Sequence, residues 1–202
     1  MNYIYRQRAR QSLGSLFANP WLMGALALFL IGALNAAVSG VTSGLATIFI
    51  FGSLEYGKCY IFLKRLRSNQ EIEISEAFTG FTNDFMRNMV TGLLVNLYIA
   101  LWSLLFLIPG IIKYYSYSMA FYISLDHPEY SSSQCIDESR RLMDGHKWDL
   151  FCLELSFIGW RILGILCAGV GVYWAEAYYQ QAKAHFYHDL VASSFAGQVE
   201  VE

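Results

Sequence analysis

The chain has 202 residues, of which 55% are hydrophobic and 15% charged, and its formal net charge at pH 7 is -2. A net charge this small implies no particular partner, and a nucleic-acid-binding domain would need a concentrated basic stripe. The positive mean hydropathy fits either an apolar soluble domain or a membrane protein. The contiguity of the apolar residues therefore decides between these two classes.

Four long apolar stretches cover residues 21–38, 45–63, 89–108 and 150–168. Each approaches the roughly 20 residues that cross about 30 Å of hydrocarbon. An aromatic-rich segment after Gly110 and another over residues 173–190 complete a predicted all-α membrane bundle of six transmembrane helices. The last segment is the weakest candidate, because polar residues interrupt it and it spans a bilayer only if its polar face is buried.

The placement of basic residues predicts the orientation of these helices. Ten of the fourteen Lys and Arg residues lie in three clusters: Arg6, Arg8 and Arg10; Lys64, Arg65, Arg67 and Arg87; Arg140, Arg141 and Lys147. Short loops rich in Lys and Arg stay in the cytoplasm. We therefore expect three antiparallel hairpins with both termini cytoplasmic. Lys113 is the one awkward charge, and we expect it to reach the outer surface.

A threefold repeat is also expected. Turns are predicted at Gly52 (or the nearby Gly40 and Gly44), at Gly110 and at Gly169, and an aromatic-rich helix follows each turn. Each unit would consist of a surface helix, an ascending span, a tight turn and a descending span. The units cover about residues 1–74, 75–130 and 131–195 of a single membrane domain, and a polar tail covers residues 196–202.

The surface helices are short, amphipathic and cytoplasmic. Residues 3–17 and 131–143 each carry a charged face beside apolar residues, which fits either placement in the membrane interface or ordinary packing on the bundle. Ser131, Ser132 or Ser133 is expected to cap the second of these helices, and Gly145 to close it. The four cysteines lack C-x-x-C spacing and are expected to be free thiols.

Three stretches of the sequence resemble a bacterial integral-membrane family catalogued as domain of unknown function 975. They are residues 107–122 (LIPGIIKYYSYSMAFY), residues 139–160 (SRRLMDGHKWDLFCLELSFIGW) and residues 169–187 (GVGVYWAEAYYQQAKAHFY). The resemblance implies six spans and a bacterial plasma (inner) membrane, and it brings no substrate, cofactor or site residue. The layout is also loosely similar to the membrane domain of some glycerophosphodiester phosphodiesterases, without their soluble catalytic domain.

Charged and amide residues inside the predicted spans form a candidate polar seam through the bundle. Its members are Asn35, Glu55, Lys58, Asn96, Glu154, Arg161, Glu176 and Lys183. A charge near the centre of an inserting helix costs about 2.5 to 3.5 kcal/mol. Glu55 and Lys58 share a helical face and are expected to pair. Arg161 is expected to pair with Glu154 or, because the last two spans are antiparallel, preferably with Glu176.

Two interpretations of the seam stay open: a path for a solute or proton, and a set of ion pairs that hold the helices together. The same ambiguity applies to Tyr114, Tyr115, Tyr117 and Tyr122, which either line a ligand cavity or pack in the core and at the interface. His185, His188 and Asp189 have a spacing that metal ligands use, but no second cluster supports a metal site. No catalytic or cofactor-binding motif occurs, so we expect neither an enzyme nor a cofactor.

The sequence therefore predicts a multi-pass plasma-membrane protein that acts as an accessory, regulatory or interaction component. Its expected contacts are membrane lipid and a protein partner or second copy on the cytoplasmic side, without nucleic acid. The alternative is a small transporter or lipid-handling protein that uses the polar seam. A cavity reaching Glu55, Glu154 and Glu176 would favour the alternative, whereas a dry, fully packed interior would favour the interaction role.

Overall fold

A computed structural model describes residues 2–14, 19–42, 45–105, 107–166 and 171–199. These residues form helices and short connections, without a β-strand, so the predicted all-α helical bundle is confirmed. In chain order the elements are α1 (Asn2–Leu13), α2 (Asn19–Thr42), α3 (Leu45–Ser68), a 3-10 turn (Ile74–Phe78), α4 (Thr79–Thr82), α5 (Phe85–Leu105), α6 (Leu107–Tyr117), α7 (Ala120–Asp126), α8 (Ser132–Leu142), α9 (Lys147–Leu166) and α10 (Gly171–Val199).

Two of the described helices are long and apolar enough to cross a membrane by length and composition. They are Asn19–Ala37 in α2, with a mean hydropathy of 1.7, and Phe85–Leu104 in α5, with a mean hydropathy of 1.2. Only 33% and 22% of these two segments is buried inside the bundle. These helices correspond to the first and third predicted spans, and the other four spans stay predictions.

The helices can be taken in three successive groups along the chain. A short helical segment precedes two longer helical segments in each: α1 before α2 and α3, the 3-10 turn and α4 before α5 and α6–α7, and α8 before α9 and α10. The short segments pack on the second long segment of the preceding unit, α4 on α3 and α8 on α7. Because α1 packs on α10, the arrangement closes into a ring. The repeat in the sequence itself stays a prediction.

The predicted turns at Gly52 and Gly110 are wrong, because both glycines lie inside helices. Gly52 is in α3, where a Cβ would collide with the carbonyl oxygen of Asn88, and Gly110 is in α6, where a Cβ would collide with Ser103. Glycine at these positions permits close helix packing, which is a common use of small residues at helix interfaces. Gly40 also lies inside a helix, α2, and the predicted turns at Gly44 and Gly169 lie outside the described residues.

The fourth predicted span is a broken helix. Helix α6 ends at Tyr117 and α7 begins at Ala120, with a turn between them. The buried hydroxyl of Ser139, on α8, fills this break by donating to the carbonyl of Ser116 at 2.8 Å and accepting from the N–H of Met119 at 3.2 Å. Buried backbone groups need such partners, so α8 is part of what keeps the span broken.

The start of α8 confirms the predicted cap. Ser131 accepts from the backbone of Gln134, and the side chain of Gln134 accepts from the backbone N–H of Ser131, which forms a capping box. Gly145 has a φ of +79° in the connection to α9, a conformation that glycine adopts without strain.

Candidate functional site

A cavity of about 220 Å³ lies between α3, α5, α6, α7 and α10, and we call it the central cavity. Its polar lining includes three residues of the predicted seam, Glu55, Asn96 and Lys183, which three different helices contribute. Ser118, in the break between α6 and α7, also lines it. The broken helix therefore opens onto the same space as the charged side chains.

Glu55 and Lys58 form the ion pair that their spacing predicts. The Lys58 ammonium lies 2.5 Å from a carboxylate oxygen of Glu55, and both side chains are only partly exposed, at 18% and 24%. Lys183 makes no ion pair with the acids that the structure describes, and its ammonium lies 5.9 Å from the centre of the Tyr122 ring. The cavity thus presents a paired carboxylate on one wall and a cation without an acidic partner on another.

Arg161 joins two acids in a second group beside the cavity. Its guanidinium donates to Glu176 at 3.1 Å and to Glu154 at 3.4 Å. The pairing that antiparallel packing predicts is therefore present, and both candidate partners are used. The Tyr115 hydroxyl also donates to Glu154 at 2.8 Å, and the Gln180 amide donates to Glu176 at 2.9 Å. Every charge in this group has an opposite charge or a hydrogen-bond donor within reach.

Tyr114 separates the two groups. It lines the central cavity, while the charges of Glu154, Glu55 and Glu176 all act on it. Its ring contacts that of Tyr115 edge to face, with centroids 5.2 Å apart. Neither Glu154 nor Glu176 lines the cavity. The predicted seam therefore has two parts, the central cavity and the ion network that Arg161 forms with Glu154 and Glu176. Tyr114 and Tyr115 lie between these parts, so the seam is not one open path.

The two amides of the predicted seam differ in their placement. Asn96 is exposed at the cavity wall, and its amide donates to the carbonyl of Gly92 in its own helix at 2.8 Å. This hydrogen bond stays within α5. Asn35 is half-buried in α2 and does not line the central cavity.

The four tyrosines differ in their placement. Tyr114 and Tyr117 line the central cavity. Tyr115 is nearly buried and binds Glu154, while Tyr122 is fully buried and stacks on Tyr187 with ring centroids 5.0 Å apart. Sequence analysis missed Ser118 and Ser139 as site-forming residues. The signal for the first was two serines in the apolar stretch YYSYSM.

The histidines near the end of α10 pack against the amino-terminal helix instead of converging on one point. His185 hydrogen-bonds Ser12 at 2.9 Å, and Asp189 forms an ion pair with Arg8 at 2.6 Å. His188 lies 3.8 Å from Asp189. Within the described part of the chain no three His, Cys, Asp or Glu side chains form a group that could hold a metal ion. Cys59, Cys135 and Cys152 are free thiols, as predicted, and Cys167 lies outside the described residues.

The outer surface of the bundle carries many exposed apolar side chains, whereas several polar side chains are buried inside it. Leu104, Ile108 and Leu166 are exposed by 71% to 86%, and further exposed apolar side chains continue along α2, α5, α6 and α9. In contrast, polar residues of several helices are fully buried: Ser53, Asn88, Thr91, Ser124, Ser139 and Gln181. Soluble monomers rarely expose contiguous apolar patches larger than a few hundred Å².

On the cytoplasmic side of the predicted topology, one ion pair joins the end of α7 to α3, and another lies within α8. Arg67 binds Asp126 through two hydrogen bonds of 2.6 and 2.7 Å. Arg141 also binds Glu138 through two hydrogen bonds, and this hydrogen bonding lowers the pKa of the Glu138 carboxyl.

The chain was compared with protein families, curated proteins and solved structures. No curated protein and no solved structure matches it. The resemblance to the membrane domain of glycerophosphodiester phosphodiesterases is not shown by these comparisons. The model of one family matches residues 5–116 and 105–194, which together cover nearly the whole chain. The chain therefore belongs to the family described as Protein of unknown function (DUF975).

Proposed function

We propose that the chain is an integral protein of the bacterial plasma membrane and that its central cavity binds a small polar solute. The observation that carries the proposal is the central cavity itself, which Glu55 and Lys183 both line, in a bundle with many exposed apolar side chains. This is the transporter-like alternative of the sequence analysis, and of the three glutamates named there the cavity reaches only Glu55. It requires no enzymatic step and no cofactor.

The exposed apolar side chains support the membrane placement. A core helix of a soluble protein passes the same length and composition test as a membrane span, but such a helix is mostly buried. Here at most a third of each of the two qualifying segments is buried. The proposed topology keeps six crossings in three hairpins, with α6 and α7 together as the fourth and both termini cytoplasmic.

The chemistry of the cavity supports a polar solute. A volume of about 220 Å³ corresponds to roughly seven water molecules at about 30 Å³ each. Charged side chains within a membrane cost free energy, and those that face a cavity mark solute or ion pathways. Non-helical backbone at membrane depth is tolerated where it is buried in protein or lines such a cavity, and the break at Ser118 meets this condition. A solute with an anionic group matches Lys183, whereas Glu55 already has Lys58 as its partner.

Cysteine labelling tests the topology. In a cysteine-free background, Ser194→Cys near the end of α10 should react with a membrane-impermeant maleimide only from the cytoplasmic side. Ser43→Cys, in the predicted first outer turn, should react only from outside. Labelling of Ser194→Cys from outside intact cells would overturn the proposed topology.

The same chemistry tests the cavity. In nanodiscs, Asn96→Cys should react with a charged methanethiosulfonate, because Asn96 lines the central cavity. Leu97→Cys is the matched control: Leu97 is the next residue on the same helix, is 52% exposed and does not line the cavity. It should stay unreactive in lipid. Equal rates at both positions would contradict a separate aqueous cavity.

A second candidate function is an accessory or regulatory component that binds a protein partner or a second copy. The observation that favours it is the exposure of Tyr3, Met86 and Trp148 by 67% to 73%. These residues lie at the starts of α1, α5 and α9, which the proposed topology places on the cytoplasmic side. A photo-crosslinking residue at position 148 should then give one discrete adduct in native membranes, and one at exposed Leu104 should not.

A further inference from the structure

A second cavity, of about 320 Å³, opens between α1, α2, α9 and α10, and we call it the arginine pocket. Arg6 and Arg10 line it, four residues apart on one face of α1. Neither arginine forms an ion pair with an acid among the described residues, and the buried Nε of Arg6 has no hydrogen-bond partner. Arg8, on the same helix, is paired with Asp189. The pocket therefore concentrates positive charge that the protein does not neutralise.

Aromatic side chains form the floor of the arginine pocket. Tyr178 is buried and donates from its hydroxyl to the carbonyl of Arg6 at 2.8 Å, which ties α1 to α10. The rings of Trp21 and Trp160 flank Tyr178, with centroids 5.3 and 6.1 Å away. Trp and Tyr beside basic residues are typical of the level of lipid headgroups.

An apolar groove lies near the arginine pocket, along the contact between α2 and α10. It has a volume of about 280 Å³ and is lined on α2 by Leu22, Leu26 and Phe29, and on α10 by Tyr173 and Trp174. Leu22 directly follows Trp21 of the arginine pocket, and Trp174 lies one helical turn from Tyr178. The cationic pocket and the apolar groove are therefore neighbouring parts of one surface.

We infer that this surface binds an anionic phospholipid, with the headgroup phosphate between Arg6 and Arg10 and an acyl chain in the groove between α2 and α10. Guanidinium groups bind phosphate oxygens through paired hydrogen bonds. A free phosphate would use the pocket alone, whereas the adjoining groove provides for a chain. The inference rests on the membrane placement proposed above, but it concerns a different cavity from the one that binds the solute.

Lipid binding by the purified full-length chain in neutral detergent tests the inference. Dioleoyl phosphatidylglycerol should raise the melting temperature, and native mass spectrometry should detect it bound. Dioleoyl phosphatidylcholine and inorganic phosphate should produce much smaller shifts. In Arg6→Gln/Arg10→Gln the apparent affinity for phosphatidylglycerol should fall about tenfold, because charge-assisted hydrogen bonds are lost. The matched control is Arg140→Gln/Arg141→Gln, which removes two arginines that already pair with Asp137 and Glu138. It should keep the response.

A second variant addresses the groove without changing charge. Leu26→Trp fills the groove at a position that is 41% exposed, so it should fold normally and weaken phosphatidylglycerol binding. A shift with inorganic phosphate equal to that with the lipid would overturn the assignment to lipid. An unchanged lipid response in both Arg6→Gln/Arg10→Gln and Leu26→Trp would overturn the site. The topology and central cavity are tested separately by the labelling of Ser194→Cys and Asn96→Cys, so the two proposals fail in distinguishable ways.

Discussion

The hydroxyl of Ser139, on α8, accepts a hydrogen bond across 3.2 Å from the backbone N–H of Met119, which lies in the break between α6 and α7. The same hydroxyl donates to the carbonyl of Ser116. Both residues of the first pair are fully buried. One side chain therefore satisfies the two backbone groups that the break between α6 and α7 leaves without a helical partner.

Ser139→Ala should destabilise the protein by about 1 to 3 kcal/mol, since it leaves a buried donor and a buried acceptor without partners. Thermal or denaturant unfolding in detergent measures the change. Ser133→Ala, at an exposed position on the same helix, is the control and should change stability by less than about 0.5 kcal/mol. If the two variants have the same melting temperature, Ser139 does not stabilise the break.

Local spacing in the sequence was enough to predict some of the site. Glu55 and Lys58 pair because three residues separate them on one helix, and Arg161 meets Glu176 because antiparallel neighbours of a short connection face each other. The break after Tyr117 was not predictable in this way. The apolar pattern runs through it, and the group that stabilises it, Ser139, comes from a helix about 20 residues later.

The glycines show a second limit of sequence reasoning. A turn and a close contact between helices both require a residue without a Cβ, so Gly52 fits either interpretation until its neighbour is known. The structure places Gly92 of α5 against it, where a Cβ on Gly92 would lie 2.6 Å from the Cα of Gly52. Helix packing, rather than chain reversal, explains the glycine.

Gly57→Ala should destabilise the protein strongly, by about 3 kcal/mol, the upper end for overpacking. A Cβ at this position in α3 would collide with the backbone carbonyl of Ala77, which cannot move as a side chain can. Gly159→Ala, in α9, is the matched control because a Cβ there has no neighbour within 4 Å. It should be neutral or stabilising by up to about 1 kcal/mol, from helix propensity. Comparable melting temperatures for the two variants would contradict close packing at Gly57.

The pair formed by Glu138 and Arg141 should give α8 a small dependence on pH. Hydrogen bonding to Arg141 lowers the pKa of Glu138 in the folded state. The stabilisation is therefore complete above the ordinary glutamate pKa and is lost as pH falls through the lowered folded value. Because the pair is substantially exposed, the effect should not exceed about 0.5 kcal/mol.

The difference in stability between the original chain and Glu138→Gln, measured at pH 7 and again at pH 3, isolates this contribution. The difference should shrink at the lower pH, because protonation makes the Glu138 carboxyl resemble the amide. A difference that grows on acidification would have the wrong sign and would exclude the pair as its source.

Arg161→Leu should lower stability by about 3 kcal/mol, the lower end for breaking a buried ion pair, because the three charged side chains remain 21% to 30% exposed. The substitution leaves Glu154 and Glu176 without their shared cation. Lys147→Leu is the control: it breaks an ion pair with Asp144 that is more exposed, and it should change stability by less than about 1 kcal/mol.

Combined variants decide whether the three residues act as one network. Arg161→Leu/Glu176→Leu should recover only part of the loss, because Glu154 keeps only the Tyr115 hydroxyl as a partner in this group. Adding Glu154→Gln removes the last unpaired charge and should recover most of the lost stability. Replacing every member of a buried charge network can leave the free energy of unfolding nearly unchanged. Unfolding free energies of the single, double and triple variants measure the coupling. If the losses simply add, Arg161 is not held by these two acids, and the ion network beside the central cavity does not stabilise the bundle.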